Sequence, residues 1–423
     1  MPTNAPIRLI IAGAGSRGFA YGNYAIQHPD EAVVVGVAEP RQAYRERFAS
    51  QHNLPADAVF EDWTQLAERA ARGNFADAVV ISTPDALHTA PAVAFAKLGL
   101  AMLLEKPMAP SADECRQIYQ AVRQAGIIFA VCHVLRYTAY TTELKKLVDA
   151  GTIGEIVSVQ HLEPVGYWHQ AHSFVRGNWR NTAESSFMLL QKSCHDIDWL
   201  RYIIGRNCER VSSFGSLTHF RKEQKPAAAG QALRCIDCAI ARECPYSASR
   251  LYFGLLERGI TGWPVNVITP DVTPAGVEAA LRNGPYGRCA YECDNDVVDH
   301  QVVNLLYSGG ATASFTMTAF TPLADRKTTL FGTRGQLSGD GRIITHFDFS
   351  TETTREIDTL TPEVKASGHG GGDFGLMRSF LDAVRTGDQS LILSGPDETL
   401  ETHLTVFAAE RSRLEGQTLP VEL

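Results

Sequence analysis

The sequence predicts two joined folds. Residues 1–135 form an α/β domain on a doubly wound parallel sheet, and residues 136–423 form an α+β domain on a mostly antiparallel, open sheet, carrying a cysteine-rich insertion at residues 225–294. Three observations predict this. Up to about residue 134, short β-branched runs alternate with longer amphipathic stretches, the rhythm of successive βαβ units. Beyond about residue 138, long extended segments follow one another through turn signals such as Ser308-Gly309-Gly310. Between about 225 and 294 both rhythms break, and Cys, Pro, Gly and Arg become frequent.

Each element follows from its local pattern. The apolar run Ile7–Ala12 ends in a glycine turn and reads as the first strand; Gly18–Gln27 then spaces its apolar residues as a helix does. The alternation continues with strands at Ala32–Ala38, Ala78–Ser82, Leu100–Leu104 and Ile127–Val131. Helices are expected near Arg41–Ser50, Thr64–Ala71, Leu87–Leu98 and Ala112–Gln124, the last with Ser111 as N-cap and Gly126 as C-terminal stop. In the second half the extended segments are Ile156–Leu162, Val211–Thr218, Val297–Tyr307, Ala311–Phe320 and Lys327–Phe331. Helices near Phe187–Ile204, Asp373–Val384 and Pro396–Leu414 are expected to cover one face of that sheet.

Composition excludes several classes. The 423 residues suit two or three domains, each with its own core. With 39 basic against 47 acidic residues the net charge is −8, so nothing supplies the basic stripe that nucleic acid or anionic lipid requires. No apolar run approaches the roughly 18 residues that cross a bilayer, and no cleavage-site pattern follows the first apolar stretch, so a cytoplasmic location is expected. Nine cysteines, an odd total without a secretion signal, favour buried thiols or a metal site over a disulfide framework.

The chemistry-bearing residues begin at Gly13-Ala14-Gly15-Ser16-Arg17-Gly18, between the first strand and the first helix. Glycines there allow a tight turn and bring backbone N–H groups to a pyrophosphate at the positive helix end. Glu39 ends the second strand 21 residues beyond Gly18, where a carboxylate can accept hydrogen bonds from an adenosine ribose and repel a 2′-phosphate. NAD is therefore favoured over NADP, although Arg41 is placed to stack on adenine or engage a phosphate. Three further segments end strands on the same carboxyl edge: Ser82-Thr83-Pro84-Asp85 with His88, then Glu105-Lys106-Pro107, then His133. A lysine partly desolvated beside a cofactor can lose its proton near neutral pH or donate to a developing alkoxide.

Gly13–Gly18, Thr83-Pro84, His88 and above all Glu105-Lys106-Pro107 resemble the glucose–fructose oxidoreductase, inositol dehydrogenase and rhizopine-catabolism (Gfo/Idh/MocA) family, over nearly the whole chain except the insertion. The resemblance implies a Rossmann first domain that holds the cofactor through Gly13, Gly15, Ser16, Arg17, Gly18, Glu39, Arg41, Thr83, Pro84, His88, Glu105 and Lys106. It also implies that Lys106 lies beside the nicotinamide and the substrate hydroxyl. The family's second catalytic element is a helix with an Asp, a His four residues later and an Asp three beyond that. His195 and Asp198 match it, whereas Gln191 stands in place of the first Asp. Gln191 can orient an imidazole but cannot stabilise an imidazolium by charge. Lys106 and His195 are the expected catalytic pair, with Gln191 and Lys192 positioning the substrate.

Tyr167–Arg180 mixes aromatics with polar donors, a combination that suits a polyhydroxylated ligand: flat rings stack on sugar C–H faces while polar groups bind hydroxyls. Tyr167, His169, Arg176 and Trp179 are expected in the substrate pocket together with Arg136. Cys235, Cys238, Cys244, Cys289 and Cys293 fall within 59 residues, as Cys-x2-Cys-x5-Cys-Pro followed by Cys-x3-Cys. These two arms are expected to hold a structural zinc that stabilises an insertion without a normal core, an iron–sulfur cluster being the second choice. The function expected is hydride transfer between NAD and a sugar, sugar derivative or cyclitol. Two alternatives stand beside it: an NAD-dependent glycoside hydrolase working by transient oxidation and elimination, and a non-catalytic NAD-responsive regulator. The resemblance also implies a homodimer or homotetramer.

Overall fold

The computed structural model describes residues 5–361 and 369–422. Its first half is built as the alternation predicts: β1 (Ile7–Ala12), α1 (Ser16–Gln27), β2 (Ala32–Ala38), α2 (Gln42–Gln51), β3 (Val59–Phe60), α3 (Trp63–Ala71), β4 (Ala78–Ile81), α4 (Thr89–Lys97), β5 (Ala101–Leu104), α5 (Ala112–Ala125) and β6 (Phe129–Val131). The strands lie in the order β3-β2-β1-β4-β5-β6, all parallel. The chain runs outward from β1 to one edge and then returns past it. The carboxyl ends of β1 and β4 therefore meet at the point where strand order reverses, the crevice in which doubly wound folds bind ligands. Ser111 and Gly126 cap α5 as expected, with Gly126 in the left-handed region at φ +63°.

After α6 (Ala139–Asp149) comes a nine-stranded sheet, in which β7 (Ile156–Pro164) lies between β10 (Thr312–Thr318) and β11 (Lys327–Gly332). β7 pairs parallel with β10, and the remaining pairings are antiparallel, so the sheet is mixed with one parallel seam. β8 (Cys208–Ser216), β9 (His300–Tyr307) and β15 (Leu419–Pro420) extend it on one side, and β12 (Gly335–Gly339), β13 (Ile343–Asp348) and β14 (Thr353–Asp358) on the other. The helix α7 (Met188–Ile204) packs its apolar residues, among them Leu189, Ile197 and Leu200, on the inner face with Val159, Val303, Phe315 and Leu337. The opposite face stays open, with Val157, Phe214 and Val302 exposed among polar neighbours.

The insertion departs from the expectation that it lacks regular structure and a core. It folds α8 (Ala248–Glu257) and α9 (Pro274–Asn283) around Tyr252, Leu255, Val265, Val277, Leu281 and Tyr286, a small apolar cluster of its own. The metal site expected there is also corrected. Among the described residues no three Cys, His, Asp or Glu side chains are gathered so as to hold an ion. All nine cysteines are free, and Cys293 turns its thiol to the carbonyl of Cys289 at 3.2 Å. Two last helices, α10 (Gly372–Thr386) and α11 (Pro396–Glu415), return to the first domain: α10 adds Leu376 and Phe380 to its core, and α11 lies against α5 and α7.

Candidate active site

The glycine turn is a backbone device. Gly13 sits at φ +98°, and a Cβ there would stand 2.6 Å from the Ser82 carbonyl; a Cβ on Gly18 would stand 2.1 Å from the Gly13 carbonyl. Only glycine permits this packing of β1, β4 and α1. Ser82 ties the turn to β4 by donating from Oγ to Gly13 O at 2.6 Å. Gly15 is the N-cap of α1 and contributes no side chain to the first amides of that helix, which leaves their positive end facing the crevice.

Glu39 closes one side of this cradle. Its carboxylate accepts from the Ala14 N–H at 2.9 Å and from Arg41 Nε at 2.6 Å and Nη2 at 3.0 Å. Burial works against the charged form, but these hydrogen bonds outweigh it and hold the Glu39 pKa below the usual carboxylate range. Arg41 also lies over the Tyr44 ring and alongside Gly15. The donor set fits a dinucleotide with a ribose hydroxyl at Glu39, where Arg41 and Arg45, the latter donating to Glu39 O at 2.6 Å, are the adjacent cations.

Arg17, expected at the cofactor, braces the floor of the crevice. It donates to Glu105 Oε1 at 2.6 Å, pairs with Asp373 at 2.6 Å and reaches the Tyr21 hydroxyl. Glu105 is buried, yet Arg17 and Lys106 keep its carboxylate below its ordinary pKa. His88 is a clamp between loops, its ring nitrogens 2.9 Å from Pro107 O and 3.0 Å from Thr83 O. These contacts fix the short segment from which Lys106 projects. A second support was not visible in the sequence: His403 of α11 accepts from the Met108 N–H at 2.9 Å and, from its other ring nitrogen, donates to Thr399 O at 2.8 Å.

Lys106 crosses to the second domain and donates from Nζ to Gln191 O at 2.8 Å. Gln191 lies one helical turn before His195, so the ammonium abuts the turn of α7 that carries the imidazole. The half-buried His195 has its ring edge-on to His133 at 5.7 Å between centroids. The Gln191 side chain donates to Ser185 Oγ at 2.8 Å, to Ser186 Oγ at 2.7 Å and to Asp85. A carboxylate from the β4 loop thus stands beside the residue that replaces the family aspartate.

Lys192 faces another buried charge cluster, pairing with Glu163 at 3.1 Å; Glu163 also holds Arg326 at 2.7 Å, which reaches Asp196 at 2.8 Å. Burial lowers the Lys192 pKa. Burial, with Lys192 and other nearby cations, pushes the pKa of His169 well down. His169 packs against Trp263 of the insertion at 5.1 Å, Trp168 lies 5.3 Å from the same ring, and Trp179 stacks on Phe174. Tyr167 opens this segment, which begins as a helical turn and continues as a π-helix over Gln170–Arg176.

Two expected pocket residues are elsewhere. Arg136 is 1% exposed and makes two 2.7 Å bonds to Asp198, with a further bond to Leu393 O, so its donors serve the core. Arg176, also 1% exposed, is turned to backbone carbonyls and Cys235 rather than to a pocket. Asp85, Ser185, Ser186, Glu163, Arg326 and Trp263 join the site without having been singled out as site residues. Only Asp85 had a signal, its place directly after Thr83-Pro84.

A glycine cradle with its acidic partner at the switch point, and a lysine on the same sheet edge that reaches across the domain junction to the helix bearing a histidine, define a dinucleotide-binding oxidoreductase. Residues 7–133 match the Gfo/Idh/MocA oxidoreductase family's NAD-binding Rossmann fold, and residues 145–423 match its C-terminal alpha/beta domain. The chain belongs to that family.

Among its relatives, the YteT oxidoreductase of Bacillus subtilis (strain 168) is 23% identical over 70% of each chain. The 2,7-anhydro-N-acetylneuraminate hydratase of Escherichia coli (strain K12) is 30% identical over 49% of this chain and 53% of its own. The scyllo-inositol 2-dehydrogenase (NAD(+)) of Bacillus subtilis (strain 168) is 25% identical over 50% and 58%. The chain thus matches little more than half the length of these last two relatives. A levoglucosan dehydrogenase solved with NADH and levoglucosan shares the fold over 99% of this chain and 100% of its own, with a TM-score of 0.72 and 17% identity.

Proposed function

We propose that the protein is an NAD-dependent dehydrogenase of a ring hydroxyl on a sugar, sugar derivative or cyclitol, with Lys106 and His195 as the catalytic pair. The observation that carries this reading is the approach of Lys106 Nζ to the turn of α7 that bears His195. Bound NAD supplies the hydride acceptor. Gly13, Gly15, Ser16 and Gly18 cradle the pyrophosphate, Glu39 with Arg41 takes the adenosine ribose, and Thr83 and Pro84 line the way to the nicotinamide, their loop held by the buried His88. Lys106 or His195 accepts the hydroxyl proton in oxidation and returns it in reduction. Gln191, held by two serines and Asp85, and Lys192, held by Glu163, present fixed polar groups to the remaining hydroxyls. The rings of His169, Trp179 and Tyr167 offer faces for sugar C–H groups. Similarity to relatives named for scyllo-inositol and levoglucosan supports the substrate class.

The test is reduced-cofactor absorbance with NAD and a panel of sugars and cyclitols. Lys106→Ala should lower turnover by about two to four orders of magnitude, as loss of a positioned acid or base does. NAD affinity should stay within about threefold. Equal loss of turnover and NAD binding would refute the catalytic assignment.

A second reading keeps the same residues but no net redox change. The hydratase relative and the carboxylate lost at Gln191 favour transient oxidation followed by addition or elimination, with NAD regenerated in place. Product formed without any change in NADH absorbance would select it. The uncovered face of the nine-stranded sheet, a shallow groove between Arg210, Asn304 and Ser314, is where a second copy would pair in a dimer or tetramer. A cytoplasmic location is part of the same proposal.

A further inference from the structure

Next to the reacting groups lies a cluster of charge that the proton transfer does not use. It forms where the carboxyl end of β7, the start of β11 and the middle of α7 meet. Lys327 pairs with Leu162 in the sheet, which sets Arg326 beside Glu163. Lys192 and Asp196, one helical turn apart on α7, close the group from the other side. The loop leading to Arg326 is pinned to the turn after β7: the Tyr167 N–H donates to Thr321 O at 2.9 Å and the Gly166 N–H to Thr321 Oγ1 at 3.2 Å. His169, just beyond that turn, lies in the field of both Lys192 and Arg326.

Two features of the cluster point to a ligand. First, its charges are layered. The side chains of Glu163 and Asp196 are 2% and 0% exposed, and His161, stacked on Trp199, holds Asp196 in the core at 3.1 Å. Lys192 and Arg326 keep 17% and 22% of theirs exposed. The charges balance two against two, yet the face offered to the outside is cationic; Asp325, next in the chain, is exposed. Second, Arg326 meets its partners through one donor: Nε is 2.8 Å from Asp196 Oδ1 and 2.7 Å from Glu163 Oε2. Among the described residues its two Nη groups donate no hydrogen bond. Such a planar fork matches the two oxygens of a carboxylate. Lys192 has one anionic partner, Glu163 Oε1 at 3.1 Å, for the three donors of its ammonium. Burial lowers the Lys192 pKa, so an anion entering here would restore its charge.

The cluster adjoins the reaction centre. Lys192 follows Gln191, whose carbonyl receives Lys106 Nζ, and precedes His195 by three residues. A ring whose reacting hydroxyl lies at Lys106 and His195 directs a substituent toward Lys192 and Arg326.

We infer that Lys192 and Arg326 form a carboxylate subsite, so that the hydroxylated ring is an acid, a uronic acid or a carboxylated cyclitol, rather than a neutral sugar. This rests on the dehydrogenase reading for the reaction and specifies the substrate class within it. The carboxylate is held by ion pairs and takes no part in hydride transfer. Glu163 and Asp196 are positioning residues that fix the two cations.

Binding is tested apart from turnover. The full chain saturated with NADH cannot accept a hydride, so calorimetry on it reads affinity alone, for D-glucuronate, D-galacturonate and D-mannuronate against D-glucose, D-galactose and D-mannose. At least one uronate should bind about tenfold or more tightly than its neutral partner, because the neutral sugar leaves the fork unpaired. Arg326→Lys keeps the charge balance but removes the fork, and should cut that preference about fivefold or more in protein whose circular dichroism matches the parent's. Lys192→Met, which leaves Glu163 paired with Arg326, should also cut it by raising the uronate Kd. No uronate binding, equal affinities within every pair, or a preference that survives both substitutions would overturn the inference. Uronate binding that depends on Arg326, without NAD-linked oxidation of any sugar, would support the subsite and refute the dehydrogenase reading. Oxidation of neutral sugars in preference to the acids would uphold that reading and overturn the subsite.

Discussion

The two sides of the candidate site are made differently. The cradle at Gly13–Gly18 is backbone: its shape depends on which residues lack a Cβ, and its polar groups are main-chain amides with Glu39 beside them. The facing side, on α7, is side chain: Gln191 is held by Asp85, Ser185 and Ser186, and Lys192 by Glu163, which also pairs with Arg326. A backbone site needs particular residue types at a fixed spacing within a few positions, so it leaves a mark in the sequence. A side-chain site can also draw on partners far apart in the chain, as Gln191 does on Asp85, 106 positions away, so one position can change while the pocket keeps its charge balance. Gln191 in place of the family aspartate, with Asp85 alongside, is such a change.

Substitutions on each side should separate the two constructions. The largest effect is expected from Gly18→Ala. Its Cβ would meet backbone, which cannot swing away, so the turn must open at a cost of about 1–3 kcal/mol. NAD affinity measured by calorimetry should fall by roughly one to two orders of magnitude; unchanged affinity would show that the cradle does not set binding. Gln191→Asp should leave NAD affinity alone and lower turnover about tenfold near pH 7, because two carboxylates then face each other and one must take up a proton. The variant's pH–rate profile should gain a new group titrating above the ordinary carboxylate range. A profile identical to the parent's would mean that Asp85 and residue 191 do not share a site.

Acid should produce the smallest change at first. Burial holds His133 at about 3 and His403 at about 4, below the ordinary value near 6.5. Between those values the unfolded chain binds more protons than the folded one, so the stability present above about pH 6.5 is lost as pH falls toward 4. His403 in particular must keep one ring nitrogen unprotonated to accept from Met108. His403→Gln retains a donor and an acceptor without titrating, so its melting temperature should drop less between pH 7 and pH 5 than that of the parent. An equal drop would remove His403 from the account.

The same contrast explains what could be read from the sequence. The parallel strands and their helices were visible within a residue or two because short, continuously apolar runs, buried on both faces, alternate with longer amphipathic helices. β3, with two residues, is too short to show a period. β12 to β14 were missed because they carry glycine and polar residues and lie at the thin edge of the sheet. Glu39 and Lys106 stood out as charged residues closing apolar strands. Arg136 also follows a strand and looked like a pocket residue, but its destination is set by Asp198, 62 positions away, and no spacing rule connects the two. In the insertion the density of cysteines hid helices whose apolar faces are ordinary.

The central claim is that Lys106 and His195 serve one proton at one cofactor face, and a double-mutant cycle tests it most directly. Turnover would be compared for the parent, Lys106→Ala, His195→Ala and the double variant, with NAD affinity measured for all four. Residues that act as a unit lose their contribution together, so the double variant should be little slower than the slower single variant, at NAD affinities within about threefold of one another. Losses that simply multiply would contradict the claim, because they would mean that the two groups act at separate places.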